Sequence, residues 1–99
     1  MIKDMKYIVV KNELENVEYI FPFPRNIDHD KMFKAMRRLR FDTIISAGFI
    51  NEFMECYGRS QTLRVSYREG SDTQLLKESF QINDKKFTFR DDWRKEAIW

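Results

Sequence analysis

Residues 41–67, FDTIISAGFINEFMECYGRSQTLRVSY, place the tightest constraint on how this chain can fold. Apolar and polar side chains alternate along them, as in β-strands whose successive side chains point to opposite faces. A two-residue turn at Asn51-Glu52 would bring Ile50 opposite Phe53. In that register five apolar residues share one face: Ile45, Ala47, Phe49, Met54 and Cys56. A one-residue slip would turn this set towards water, so the pattern predicts a hairpin in this register.

Further strands are expected on both sides of this hairpin. Residues 5–10, MKYIVV, and 17–21, VEYIF, are rich in aromatic and β-branched side chains and predict a first antiparallel hairpin. Proline lacks the backbone N–H, so Pro22 and Pro24 are expected to end its pairing. Residues 62–67 alternate again and predict another strand.

Two segments have the pattern of helices. Residues 28–40 show helical periodicity, with Asp28 placed to cap the first turn. The apolar residues of this helix fall in one arc: Met32, Phe33, Ala35, Met36 and Leu39. A capping-box pattern at residues 71–74 predicts a second, short helix. Its inward residues would be Leu75, Leu76 and Phe80. Residues 81–89 fit a last hairpin or an extended arm, and 90–99 a tail or short terminal helix.

This order of elements predicts one α+β domain over residues 1–99. Short connections between neighbouring strands favour a mainly antiparallel sheet of about five strands. Two helices are expected to pack on one face of that sheet, with the apolar set of residues 45–56 beneath the first helix.

Composition excludes several classes of protein. The 99 residues contain one cysteine, which cannot form an internal disulfide, and their net charge is only +2. No apolar run approaches the length of a membrane span, and no signal-peptide core is found at the start. We therefore expect a cytoplasmic protein with no membrane contact.

No set of residues predicts catalysis, a metal site or a cofactor. His29 is the only histidine and has no cysteine partners at zinc spacing, so it is interpreted as a surface residue at a helix start. Cys56 falls on the core face, where a thiol is usually inert packing. A nucleophilic pair of Cys56 and His29 is the weaker alternative, because no third orienting group is evident. The sequence predicts a protein that is not an enzyme.

Cations cluster on the outward side of the first predicted helix. Four residues form this group: Lys31, Lys34, Arg37 and Arg38. Such a face can dock on an acidic protein surface or contact nucleic-acid phosphates. No helix-turn-helix pair accompanies it, so nucleic-acid binding is the alternative rather than the first expectation.

Two other places are candidate contacts for a partner. Arg59 and Ser60 lie in a predicted turn that offers a guanidinium and a hydroxyl, a workable cradle for an anion. Trp93 and Trp99 form an aromatic tail that could anchor an interface. Exposed strand edges also make a homodimer an alternative arrangement.

Several runs of the chain resemble short accessory proteins of tailed bacteriophages. The runs are KYIVV at 6–10, PRNIDH at 24–29, SAGFI at 46–50, CYGRS at 56–60 and Thr62-Leu63. The resemblance brings no catalytic or ligand residues with it. It implies a small phage product that acts by stoichiometric binding, as anti-CRISPR and other anti-defence inhibitors do. The expected partner is a host protein or protein complex in the host-cell cytoplasm.

Overall fold

The computed structural model describes residues 4–80. The elements in chain order are β1 (Met5–Lys11), β2 (Glu18–Phe23), α1 (His29–Arg37), β3 (Thr43–Ile50), β4 (Cys56–Tyr57), β5 (Arg59–Ser60), β6 (Val65–Ser66) and α2 (Ser71–Phe80). The predicted α+β class is confirmed. The expectations for residues 81–99, including Trp93 and Trp99, lie outside the described residues.

A four-stranded antiparallel sheet in the order β2-β1-β3-β4 forms the centre of the fold, and β5 and β6 form a separate pair. Its central strand β1 contains four consecutive side chains with no exposed surface: Tyr7, Ile8, Val9 and Val10. Since neighbouring residues of a strand point to opposite faces, both faces of this sheet must be covered.

The two helices lie on opposite faces of the sheet. Leu76 of α2 packs with Tyr7 and Val9. Met32 and its neighbours on α1 pack with Ile8 and Val10. The expectation that both helices pack on one face is therefore wrong. The reason is the uninterrupted apolar run of β1, which gives the sheet two faces to bury.

The register predicted for the central hairpin is also wrong. Ile50 pairs with Cys56, not Phe53, and the connection is the five-residue loop 51–55. The Asn51 side chain fixes that loop, because its Oδ1 accepts from the backbone N–H groups of Phe53 and Glu55 at 2.9 and 3.0 Å. Asparagine commonly bonds the backbone two residues on in this way.

The new register separates residues that were expected to share a face. A bulge opposite Val9-Val10 leaves Ile45 without a partner in β1. Ala47 packs on the α1 side with Ile8, whereas Ile45 and Cys56 pack on the α2 side. A bulge adds one residue to one strand and so shifts its alternation by one.

The strand β2 continues through proline, contrary to the prediction. Pro22 lies opposite Tyr7, and pairing ends only after Phe23, which faces Lys6. β2 is an edge strand, so one of its sides pairs with no other strand. A missing N–H on that side removes no hydrogen bond from the sheet.

The helix α1 begins after Asp28, as predicted, but the Asp28 side chain makes no capping hydrogen bond, contrary to the prediction. The helix ends at Arg37 and not at residue 40. The backbone turns back on itself there, since the N–H of Phe41 donates to the Met36 carbonyl at 3.1 Å and Arg40 has a φ of 71°. This is a Schellman ending, which usually has glycine at the left-handed position. Leu39 consequently leaves the apolar arc and is 62% exposed.

A partly buried ionic network joins α2 to the sheet. Asp72 has no exposed surface and accepts from the Tyr7 hydroxyl at 2.5 Å and from Arg68 Nε at 2.8 Å. The guanidinium of Arg68 also donates to both carboxylate oxygens of Glu18, at 2.9 and 3.1 Å. Burial, followed by the bond to Asp72, raises the pKa of Tyr7. No sequence pattern predicted this network.

Candidate functional site

The outward surface of α1 presents the predicted cations together. Met32, Phe33 and Met36 face the sheet, so the opposite side of the helix faces solvent. We call the four exposed cations on this helix and its cap the cationic face: Lys31, Lys34, Arg37 and Arg38. At about 100° per residue, three of them form a stripe directly opposite the core and the fourth lies beside it.

The cationic face is barely neutralised by the described part of the molecule. Lys31 lies 4.0 Å from Asp28 in a solvent-exposed pair, which contributes little. Arg37 lies over the ring of Phe33 at 5.9 Å and so covers the edge of the core. Within residues 4–80, Lys34, Arg37 and Arg38 form no ion pair.

His29 is a buried residue, so its interpretation as a surface side chain is wrong. It is only 4% exposed and lies between the rings of Phe23 and Phe49, both at 5.5 Å in edge-to-face contact. Its Nε2 lies 2.9 Å from the carbonyl oxygen of Gly48. A carbonyl only accepts, so Nε2 carries the proton and the neutral ring leaves Nδ1 as an acceptor.

Protonation of His29 is expected to destabilise the folded protein. Burial lowers the pKa of His29 and Lys6 lowers it further, while the Gly48 bond and the carboxylates of Asp28 and Asp30 oppose these effects. The unfolded chain therefore binds the proton more tightly than the folded one. The contribution of His29 to the free energy of unfolding should be constant above pH 6.5, the ordinary pKa of histidine, and should fall as the pH drops below it.

Urea unfolding on either side of that pH measures the effect. The matched control is His29→Gln, which retains an N–H donor for Gly48 but does not titrate. The difference in unfolding free energy between the two proteins should shrink as the pH falls. An identical pH dependence in both would contradict this assignment.

A cleft of about 260 Å³ opens beside His29, on the α1 side of the sheet. We call it the His29 cleft; its lining residues are Lys6, Asp28, His29, Phe49, Arg59, Gln61 and Thr62. They come from β1, β3, β5, the start of α1 and the turn after β5. The Lys6 Nζ donates to the carbonyl of Ile27 at 2.9 Å, which holds its charge at the cleft.

Arg59 and Ser60 form the strand β5 and not the turn that was predicted there; the turn follows them. Arg59 lies at the surface and Ser60 in the interior. Arg59 is exposed and lines the His29 cleft. Ser60 has no exposed surface, and its hydroxyl accepts from the N–H of Leu63 at 3.1 Å and lies 3.2 Å from the Thr62 hydroxyl oxygen. Ser60 therefore supports the turn and does not present its hydroxyl to a partner.

The structure does not bring Cys56 and His29 together. Cys56 packs with Tyr7 and Leu76 on the α2 side of the sheet, whereas the His29 cleft is on the α1 side. Burial raises the pKa of the Cys56 thiol to about 11. The thiolate fraction is therefore small at neutral pH, which fits the prediction of inert packing.

Sequence reasoning missed Lys6 and Thr62 as members of this site. In the sequence, the only local indication of this site is Lys6, a single lysine within the otherwise apolar residues 5–10. The cleft arises because β5 folds over the α1 side of the sheet, a contact that no local pattern encodes. Trp93 and Trp99 lie beyond the described residues, and their predicted role remains a prediction.

Other kinds of site were sought in the same part of the chain. Residues 4–80 contain no group of three or more histidine, cysteine or acidic side chains arranged to hold a metal ion. None of the helices within these residues is both long and apolar enough to span a membrane. A comparison with protein-family models, curated proteins and solved structures found no match.

Proposed function

We propose that this protein is a non-catalytic binding protein that docks on an acidic surface of a host protein through its cationic face. The observation that carries the proposal is the exposure of Lys34 and Arg38 without acidic partners in the described part of the chain. Both are exposed on the side of α1 opposite the core, and neither has an acidic partner within residues 4–80. Unpaired charges of one sign on a rigid helix steer a complementary partner and fix its register.

An apolar component beside these charges supports a protein as the partner. Leu39 follows Arg38 and is 62% exposed because the Schellman turn ends the helix early. Ala35 is exposed between the cations and is small enough to permit close approach. Stable protein interfaces typically combine an apolar centre with a charged rim, and arginine is enriched in them.

The resemblance to phage accessory proteins supports inhibition as the outcome of docking. A small protein that occupies an acidic functional surface of a defence complex blocks it stoichiometrically, without chemistry. Affinity would then depend on the few residues of the cationic face and on Leu39.

Capture from host lysate at physiological salt tests the proposal. Lys34→Glu is compared with Lys77→Glu, which makes the same change of net charge on α2, on the other side of the sheet. A rim charge typically contributes to the association rate, and reversing it adds repulsion, so we expect Lys34→Glu to reduce the captured partner about tenfold or more. Lys77→Glu should capture as the unaltered protein does. Equal capture by both variants would exclude the cationic face.

Nucleic acid is the second candidate partner, favoured by the spacing of the stripe. Lys31 and Arg38 are about 10 Å apart along the helix axis at 1.5 Å per residue. Backbone charges of one DNA strand recur every ~3.4 Å of helix axis, so these cations can follow neighbouring phosphates. Titration with labelled DNA and RNA at several salt concentrations distinguishes a nucleic-acid partner from a protein partner. The slope of log affinity against log salt is negative for phosphate contacts, and Lys34→Glu/Arg38→Glu should reduce its magnitude by about 1.8.

A further inference from the structure

We propose that the His29 cleft binds a phosphate group that retains a proton, either as inorganic phosphate or as a phosphomonoester monoanion. The lining residues of the cleft do not include any member of the cationic face, although the two surfaces adjoin at Asp28, which lies 4.0 Å from Lys31. The cleft has room for such a group with several waters, since a water in the liquid takes about 30 Å³ and the cleft about 260 Å³.

Two cations give the cleft its preference for an anion. Lys6 Nζ uses one of its N–H groups on Ile27 and has others left to donate. Arg59 lines the same cleft and has no acidic partner within residues 4–80. Guanidinium binds phosphate through two parallel N–H···O bonds, whereas lysine acts as a point charge.

Neutral donors from the turn after β5 complete the anion side of the cleft. Gln61 supplies an amide, and Thr62 supplies a hydroxyl whose oxygen lies 3.2 Å from the Ser60 hydroxyl. Since Ser60 is buried and also accepts from the Leu63 N–H, this contact helps to fix the turn. The turn that carries Gln61 and Thr62 is therefore held in place before a ligand arrives, which reduces the entropy lost on binding.

The opposite side of the cleft carries acceptors, and these select the form of the anion. The Gly48 carbonyl takes the Nε2 proton of His29, so Nδ1 is an acceptor without a partner within residues 4–80. Asp28 also lines the cleft, and its Oδ2 lies 4.0 Å from Lys31 Nζ. A fully deprotonated oxyanion would be repelled by Asp28 and would leave Nδ1 unpaired. An oxyanion with one O–H can donate to either acceptor while its other oxygens accept from Lys6 and Arg59.

Sulfate is the natural comparison ion, because it has the same shape as phosphate but carries no proton at neutral pH. Inorganic phosphate retains at least one proton there, so the cleft should prefer phosphate to sulfate. A phosphomonoester, whose second pKa is about 6, should bind more tightly below that pH than above it.

The single histidine of the chain makes the test direct. The ¹⁵N resonances of His29 are followed while inorganic phosphate, sulfate, or ribose 5-phosphate is added at constant ionic strength. We expect the Nδ1 resonance to shift and to saturate as phosphate is added. The affinity for sulfate should be lower than that for phosphate by about tenfold or more, the ratio equivalent to one lost hydrogen bond. Tighter binding of ribose 5-phosphate at low pH would identify a phosphomonoester as the source, and tighter inorganic phosphate would identify the free ion.

Three variants separate this site from general charge effects. Arg59→Gln should weaken phosphate binding about tenfold or more, since it removes a charge-assisted pair. Asp28→Asn, at a residue whose side chain makes no capping hydrogen bond, should bring the affinities for phosphate and sulfate closer together. Lys77→Gln on α2 should change neither the affinity for phosphate nor the affinity for sulfate. A shift that does not saturate, is equal for the two ions, or is unchanged in Arg59→Gln would overturn the proposal.

The double variant Lys34→Glu/Arg38→Glu should leave phosphate binding intact. Failure of the phosphate proposal is therefore distinguishable from failure of the proposed docking function.

Discussion

Replacing Arg68 with methionine is expected to lower the free energy of unfolding by about 3 kcal/mol, within the usual range for breaking a buried ion pair. Asp72 would keep the Tyr7 hydroxyl but would lose the guanidinium 2.8 Å from its Oδ1, leaving a fully buried carboxylate without a countercharge. The same change frees Glu18, so α2 also loses a connection to β2. Methionine preserves most of the side-chain volume, which limits the loss to electrostatics.

Denaturant unfolding at neutral pH measures this loss. Arg64→Met is the matched control, because Arg64 is exposed and has no ion pair within residues 4–80, and it should change stability by less than about 0.5 kcal/mol. A loss below about 1 kcal/mol in Arg68→Met would mean that Asp72 does not depend on this countercharge.

Replacing Gly48 with alanine is expected to destabilise the protein by about 3 kcal/mol, at the upper end for overpacking. An added Cβ would overlap the backbone carbonyl oxygen of Tyr57 and would lie 3.2 Å from Cε1 of Tyr7. Backbone cannot rotate away as a side chain can, so β3 and β4 must separate. The Gly48 carbonyl also accepts from His29, and the change should therefore disturb the His29 cleft as well.

The matched control for this variant is Gly70→Ala. Gly70 has a φ of +78° and nothing within 4 Å of an added Cβ, so alanine there carries only the left-handed backbone penalty of about 1 kcal/mol. Both variants are compared by denaturant unfolding, and the His29 ring resonances report the cleft. Equal losses in the two variants, with His29 unperturbed in Gly48→Ala, would contradict the steric explanation.

Local pattern predicted the elements of this fold better than their arrangement. The aromatic and β-branched content of residues 5–10 and 17–21 predicted β1 and β2. Helical spacing predicted α1 and a capping-box pattern predicted α2, because each signal lies within a few neighbouring residues. Pairing depends on loops, and one side chain, Asn51, was enough to lengthen the central loop and shift the register. The bulge beside Ile45 then moved residues between faces.

The candidate sites differ in the same way. The cationic face follows from the spacing of one helix, so its residues were predicted in full. The His29 cleft depends on contacts between distant segments, such as His29 with Gly48, 19 residues apart. The Asp72 network is still less local, since Tyr7 is 65 residues from its partner. Buried polar groups with distant partners are not encoded in any short motif.

Photo-cross-linking tests most directly whether a partner binds the outward surface of α1. A photoreactive amino acid is placed at Ala35, exposed among the cations, or at Glu78, exposed on α2, and each protein is irradiated in host lysate. We predict a covalent adduct with one partner from position 35, lost when Lys34→Glu/Arg38→Glu is added, and no such adduct from position 78. An adduct from position 78 alone, or one from position 35 that survives the charge reversal, would contradict docking through the cationic face.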